Sequence, residues 1–273
     1  MLDLFNIPTP QTANYQEFFA DNSIAGNNPK KIWVKPRGVS IVRILMIGAG
    51  GGGGQGASTS GGGGGGSGAV TSWIGPAMFI PDNLNLSIQF GGGSNTSANA
   101  SIISYKAQSY YTLLSANGGS GGTGTTGTAG AGGTAMTANQ FTACGIFSSI
   151  AGQDGAPGSV SGSALNQAAS TTTFLSGGSG GAGSAAGTGG SVTPNYGYTA
   201  LPVTTAGGTV AGANGYFITQ PIMVGVGGAG GTTSTTVGTA GGRGGIGCGG
   251  GGSGEDASSG GRGGDGAVFI WAW

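Results

Sequence analysis

The sequence predicts an all-β protein: β strands at both ends of the domain support a bundle of short polyglycine II helices, with essentially no α-helix beyond one candidate near the N-terminus. Three observations predict it. Glycine occupies 68 of 273 positions, several-fold above the ~7% of an ordinary domain. Many of those glycines recur every third residue. The β-branched stretches that can found a core bracket the chain, whereas the middle, from about residue 117 to about 200, is mostly small residues with isolated aromatics.

The triplet phase is clearest at Gly118, Gly121, Gly124, Gly127, Gly130 and Gly133, and returns at Gly152–Gly155–Gly158, Gly177–Gly180–Gly183, Gly241–Gly244–Gly247–Gly250 and Gly260–Gly263–Gly266. A period of three fits neither an α-helix nor a strand; it fits an extended left-handed helix with three residues per turn and ~3.1 Å rise. Collagen shares the period but needs an unbroken register and abundant proline, and this chain has 10 Pro and runs that restart. A flexible linker has no reason to hold phase. Because an ordered glycine costs roughly 0.5–1 kcal/mol relative to alanine, such a body needs nearly every backbone N–H and C=O bonded to a neighbour.

The elements follow in order. Residues 1–29 are almost free of glycine; 12–20 read as a short helix with an aromatic face, ended by Asn27-Asn28-Pro29. Such an arm must dock its rings on the body or on a partner, and Tyr15, Phe18 and Phe19 are the candidates for partner attachment. From Lys30 the pattern becomes β: Lys31–Lys35 alternates, Pro36-Arg37-Gly38 turns, and Val39–Ile47 forms a second strand. Further strands are expected at 69–74, 84–90, 101–105, 111–114, 216–226 and 267–273. This gives two units: an attachment arm, 1–29, and a glycine-rich β/polyglycine II domain, 30–273.

Composition narrows the chemistry. Net charge is zero, from eight basic and eight acidic side chains, so the footprint of a nucleic-acid-binding chain is missing. Lys30, Lys31, Lys35, Arg37 and Arg43 cluster, and read as solvated strand ends. There is no histidine, which removes Ser-His-Asp and Cys-His catalysis and His-ligated metals. Two cysteines, Cys144 and Cys248, are expected as reduced, inert thiols. No apolar run approaches a membrane span of ~20 residues.

Short motifs point the same way. Gly48-Ala49-Gly50-Gly51-Gly52-Gly53 follows a strand but leads into no helix, so it lacks the helix N-terminus that dinucleotide binding needs. Glu255-Asp256 is the only adjacent carboxylate pair, and neighbours in a glycine-rich loop do not form a glycosidase pair across a cleft. Arg243 and Arg262 read as hydrogen-bonding between segments. No catalytic residue, metal site or cofactor is expected, and the chain reads as a non-enzyme. The rings among the glycine runs, Phe141, Phe147, Phe174, Tyr196 and Tyr198, are the candidate binding residues. Tyr196-Gly197-Tyr198 has the composition of an adaptable contact loop; the three Phe serve equally well as caps on the bundle ends.

Trp33-Val34-Lys35-Pro36-Arg37-Gly38-Val39, then Ile47-Gly48-Ala49-Gly50-Gly51-Gly52-Gly53, then Gly260-Gly261-Arg262-Gly263-Gly264-Asp265-Gly266-Ala267-Val268-Phe269-Ile270-Trp271 together resemble the glycine-rich domain of bacteriophage tail-fibre and minor structural proteins. The triplet runs with variable loops are similar to the tip adhesins of T-even-type long tail fibres. The resemblance implies a polyglycine II bundle whose end loops recognise a host-surface glycan or protein. It also implies an N-terminal region that joins other virion proteins, a homotrimer or a place on a trimeric fibre, and residence in the virion after synthesis in the host cytoplasm. A purely structural virion part is the alternative.

Overall fold

The computed structural model describes residues 14–20, 30–105, 111–159, 167–168, 175–183, 187–193, 204–205, 211–219, 223–233, 238–256 and 259–273. The strands are β1 (Asn14–Phe19), β2 (Lys31–Val34), β3 (Ile41–Ile47), β4 (Val70–Pro76), β5 (Asn83–Ser87), β6 (Ser101–Ser104), β7 (Thr112–Ala116), β8 (Ile146–Ile150), β9 (Gln167–Ala168), β10 (Val192–Thr193), β11 (Phe217–Ile218), β12 (Val224–Gly225) and β13 (Ala267–Ala272). One antiparallel sheet has the order β1-β13-β3-β4-β8 and a second has β2-β5-β6-β7; β9/β10 and β11/β12 form two-stranded pairs. The protein is all-β.

Strand alternation sets the layers. In β3, Val42, Ile44 and Met46 face inward and are buried, while Ile41, Arg43 and Leu45 face the other way. β13 sends Val268, Ile270 and Ala272 to the same inner face, and β4 adds Trp73. Trp33, Leu84, Leu86, Ile103 and Leu114 of the four-stranded sheet pack against them, so the two sheets enclose one apolar core. Each large side chain fully buried there contributes about 1.5–3 kcal/mol. Pro36-Arg37-Gly38 turns as expected, with Gly38 at φ +80°.

Beyond the sandwich the chain builds a second body from glycine. It leaves the sheet after β3 and returns before β4 as a long hairpin, in which Gly48, Gly51, Gly54 and Ala57 donate to the carbonyls of Ala69, Gly66, Gly63 and Ser60 at 2.7–2.9 Å. The returning arm is the centre of the body. Its N–H groups point in rotation at three neighbours: Gly63, Gly66 and Ala69 donate to Thr123, Ser120 and Asn117; Gly61, Gly64 and Ser67 to Ser159, Ala156 and Gln153; Gly62, Gly65 and Gly68 to Ser253, Gly250 and Gly247. Its carbonyls receive N–H groups from the outgoing arm, from Gly130 and Gly133, and from Gly178 and Gly181. Every third residue therefore meets the same partner segment, so the backbone requirement is met by lateral bonds alone.

Crowding dictates composition. A Cβ at Gly64, Gly65 or Gly66 would overlap the carbonyl of Gly178, Gly51 or Ala131 respectively, so the surrounded arm is unbroken glycine from 61 to 66. At the periphery, 118–124 keeps Gly119 and Gly122 buried and turns Ser120 and Thr123 outward. Where two segments leave slightly more room, serine fits and bonds: Ser179 Oγ donates to the Gly190 carbonyl (2.6 Å) and accepts from Gly230 N–H (2.8 Å).

Two expectations are corrected. The N-terminal helix is a strand: β1 pairs residue for residue with β13, from Asn14↔Ala272 to Phe19↔Ala267, because an open sheet edge offers its backbone a full ladder. The aromatic face that suggested a helix is an alternation, with Tyr15 and Phe19 on one side and Phe18 on the other. The triplet run doubles back on itself: 117–123 runs out, Gly127 at φ +61° reverses it, and 127–133 runs back, with Thr123 and Ser120 donating to Thr128 and Ala131. The expected strand 216–226 is the short antiparallel pair β11/β12.

Arg243 and Arg262 both reach Asp265, with Nη2 donors 2.8 and 2.6 Å from its oxygens, while Asp265 also accepts Gly91 N–H at 2.9 Å. These arginines tie glycine segments together, as the sequence suggested. Both cysteines are free thiols. Burial pushes the Cys248 thiol up to about 12, only partly offset by a backbone hydrogen bond from Ser176, and the protonated form is unreactive. We expect Ellman's reagent at pH 8 to titrate Cys144 alone in the native protein and both thiols after denaturation; two fast native equivalents would refute this burial.

Candidate functional site

Because the glycine segments run out from the sandwich and back, their reversals collect at the far end. The described residues there include 55–60, 94–97, 123–128 and 254–256. Ala57 and Ser60 close the central hairpin with reciprocal bonds of 2.8 and 3.1 Å. Asn95 takes φ 58°, and its Oδ1 accepts Gln55 N–H at 2.9 Å. Ser60 Oγ lies 3.0 and 3.1 Å from the carbonyls of Gly124 and Thr125. Thr126 links the hydroxyls of Thr123 (3.0 Å) and Thr128 (2.7 Å).

These loops line a crevice of about 380 Å³ bounded by Gln55, Gly56, Ala57, Asn95, Thr123, Gly124 and Thr125. It offers amides, hydroxyls and main-chain groups held by the scaffold behind them. Glu255 and Asp256 are the only charged residues among the described ones in these loops. Such a surface can hydrogen-bond a polar, uncharged ligand. Among the described residues no group of three or more His, Cys, Asp or Glu could hold a metal.

The sequence-predicted candidates fall elsewhere. Phe174, Tyr196 and Tyr198 lie outside the described residues. Phe141 stacks on Trp73 with centroids 4.7 Å apart, and Phe147 sits opposite Trp73 in the β4–β8 ladder; both pack on the sandwich core. Phe141 is the residue just before the 3-10 turn Thr142–Cys144, and Phe147 lies in β8, which follows that turn. Phe18 also packs on that core. Tyr15 stacks on Trp271 at 5.1 Å and Phe19 meets Phe269 edge-on at 6.0 Å, so these arm rings lie on the chain's own sheet. Burial, then the hydrogen bond and charge of Glu17, raise the Tyr15 phenol well above its ordinary value.

No aromatic ring marks the tip residues Gln55, Asn95, Thr123 and Thr125 in the sequence. Their signal was the break in phase itself: Gln55-Gly56-Ala57-Ser58-Thr59-Ser60 separates two glycine blocks, and a reversal is where side chains become affordable.

The pattern of opening strands, central glycine hairpin and closing β13 spans the same stretch as a known family, the glycine-rich domain, whose sequence model matches residues 25–273. The chain belongs to this glycine-rich domain family. No curated protein matches the sequence. The family boundary at residue 25 leaves β1 outside the matched domain, although β1 completes the domain's main sheet.

Proposed function

We propose that this glycine-rich domain protein is a phage virion component, a tail-fibre tip or tail-associated adhesin that recognises the host cell surface, and that its glycine body is a polyglycine II bundle. The observation that carries the reading is the division of labour along the bundle. Its interior admits no side chain at most positions, whereas the reversals at one end carry small, polar side chains. That arrangement suits a protein whose contact surface must change without disturbing its scaffold.

Several features support it. The threefold rotation of N–H directions along 60–69 is what polyglycine II packing requires. The resemblance to the glycine-rich domain of phage tail-fibre and minor structural proteins covers about residues 30–273, and the triplet glycine runs are similar to those of tail-fibre tip adhesins. The opposite end carries apolar side chains suited to attachment: Met78 is 81% exposed, and Val34 and Phe79 are also exposed. Asn14 lies at that end, beside Ala272, which fits joining to other virion proteins through residues 1–29. The protein acts by binding, without catalysis or a cofactor, on a host glycan or protein, as a trimer or on a trimeric fibre.

The test is adsorption of particles carrying paired substitutions, Gln55→Ala with Thr125→Ala in the tip crevice and Tyr196→Ala with Tyr198→Ala in the Tyr196-Gly197-Tyr198 stretch. At least one pair is expected to lower the adsorption rate about tenfold, the effect of losing one or two good contacts, with normal incorporation. If both pairs adsorb like wild type and deletion of 1–29 still abolishes incorporation, the purely structural reading replaces this one.

A further inference from the structure

The outer face of the five-stranded sheet carries a groove that the tip reading does not use. Alternation puts Arg43, Leu45 and Ile47 of β3, Val70 and Ser72 of β4, Ser148 and Ile150 of β8, and Trp271 of β13 on this face. The short pair β11/β12 stands over it through Phe217 and Met223, which pack with Leu175 on Ile47 and Phe269. The result is a groove of about 550 Å³, within the ~300–1,000 Å³ range of small-molecule sites. Its floor is mostly apolar, and the hydroxyls of Ser72 and Ser148 sit opposite each other across β4–β8.

Among the described residues Arg43 supplies the one charge on its lining. The guanidinium carbon lies 5.0 Å from the Trp271 ring centroid, and Tyr15 stacks on Trp271 from the neighbouring strand. A guanidinium lying on a ring spends its flat face there and keeps its in-plane N–H donors for a planar anion. Lys35 pairs with Asp82, and Arg243 and Arg262 pair with Asp265. Arg43 pairs with no carboxylate among the described residues.

We propose that this groove binds a small amphiphile, an apolar chain or ring body lying on Leu45, Ile47, Val70 and Ile150 with a terminal carboxylate held by Arg43. Charge complementarity selects the anionic head, and the apolar floor selects the body. The site does not depend on the virion reading, because it lies on the sheet face and not at the tip.

Calorimetric titration of the full chain with monomeric decanoate and with decanol tests it. Decanoate is expected to bind saturably at one site and more tightly than decanol. Arg43→Gln should weaken decanoate at least ~10-fold, the scale of a charge-assisted pair, and leave decanol unchanged. Arg43 is exposed, so the variant should melt like wild type. Ser148→Trp, which fills the groove from the edge strand, should abolish both. Absence of saturable decanoate binding, an equal loss of both probes in Arg43→Gln, or binding only to anionic phosphatidylglycerol vesicles would each overturn the proposal.

Discussion

Replacing Gly65 by valine is expected to cost about 3 kcal/mol or more of stability and to lower the melting temperature by on the order of 10 °C. Gly65 N–H donates to Gly250, its carbonyl receives Gly178 N–H, and its Cα faces the Gly51 carbonyl so closely that a Cβ would overlap it. One residue therefore touches three neighbouring segments, and none can retreat without stretching its own lateral bonds. Each bond lost adds about 1 kcal/mol to the overpacking cost. Gly93 is the control: it is exposed and nothing lies within 4 Å of the corresponding Cβ. Gly93→Ala should be neutral to stabilising by about 0.4–1 kcal/mol, through the unfolded chain. Calorimetry on both variants decides the matter; a Gly65→Val protein melting with wild type would mean the segments are not locked together.

Trp73→Ala should be the most damaging change in the sandwich, at about 3–5 kcal/mol. The ring is 0% exposed and stacked on Phe141. Two glycines make its space: a Cβ at Gly75 or Gly145 would come 2.5 or 2.7 Å from indole atoms. Trp73→Phe should cost far less. Although the smaller ring gives up area, it also removes an indole Nε1 that has no hydrogen-bond partner among the described residues, and an unpaired buried donor costs about 1–3 kcal/mol. Chemical denaturation of the two variants checks the order. Equal losses would show that the polar edge is satisfied in solution.

The strands were legible because their pattern is local. Lys31–Val34, Ile41–Ile47 and Ala267–Ala272 lie within the stretches that alternation picked out. Asn14–Phe19 misled because a six-residue aromatic segment fits either period, and the choice was made by β13, more than 240 residues away, whose edge needed a partner. Phe141 and Phe147 looked like loop rings for a similar reason. Nothing near them in sequence announces Trp73, against which they pack. The polar tip was written in the sequence as lapses of phase, but its assembly into one crevice needs Gln55, Asn95 and Thr125 to meet across segments.

By itself the sequence determined that this protein would be all-β, that its glycine segments would pack side by side in triplet phase, and that charged side chains would be few. These follow from residue type and spacing, which act over a few neighbours. Only the tertiary structure decided that 60–69 is the centre, that the run after Asn117 doubles back at Gly127, and that Arg43 and Trp271 share a groove. A glycine segment has no side chain to identify its partner. Its place is fixed by which carbonyls remain unbonded once every other segment is seated.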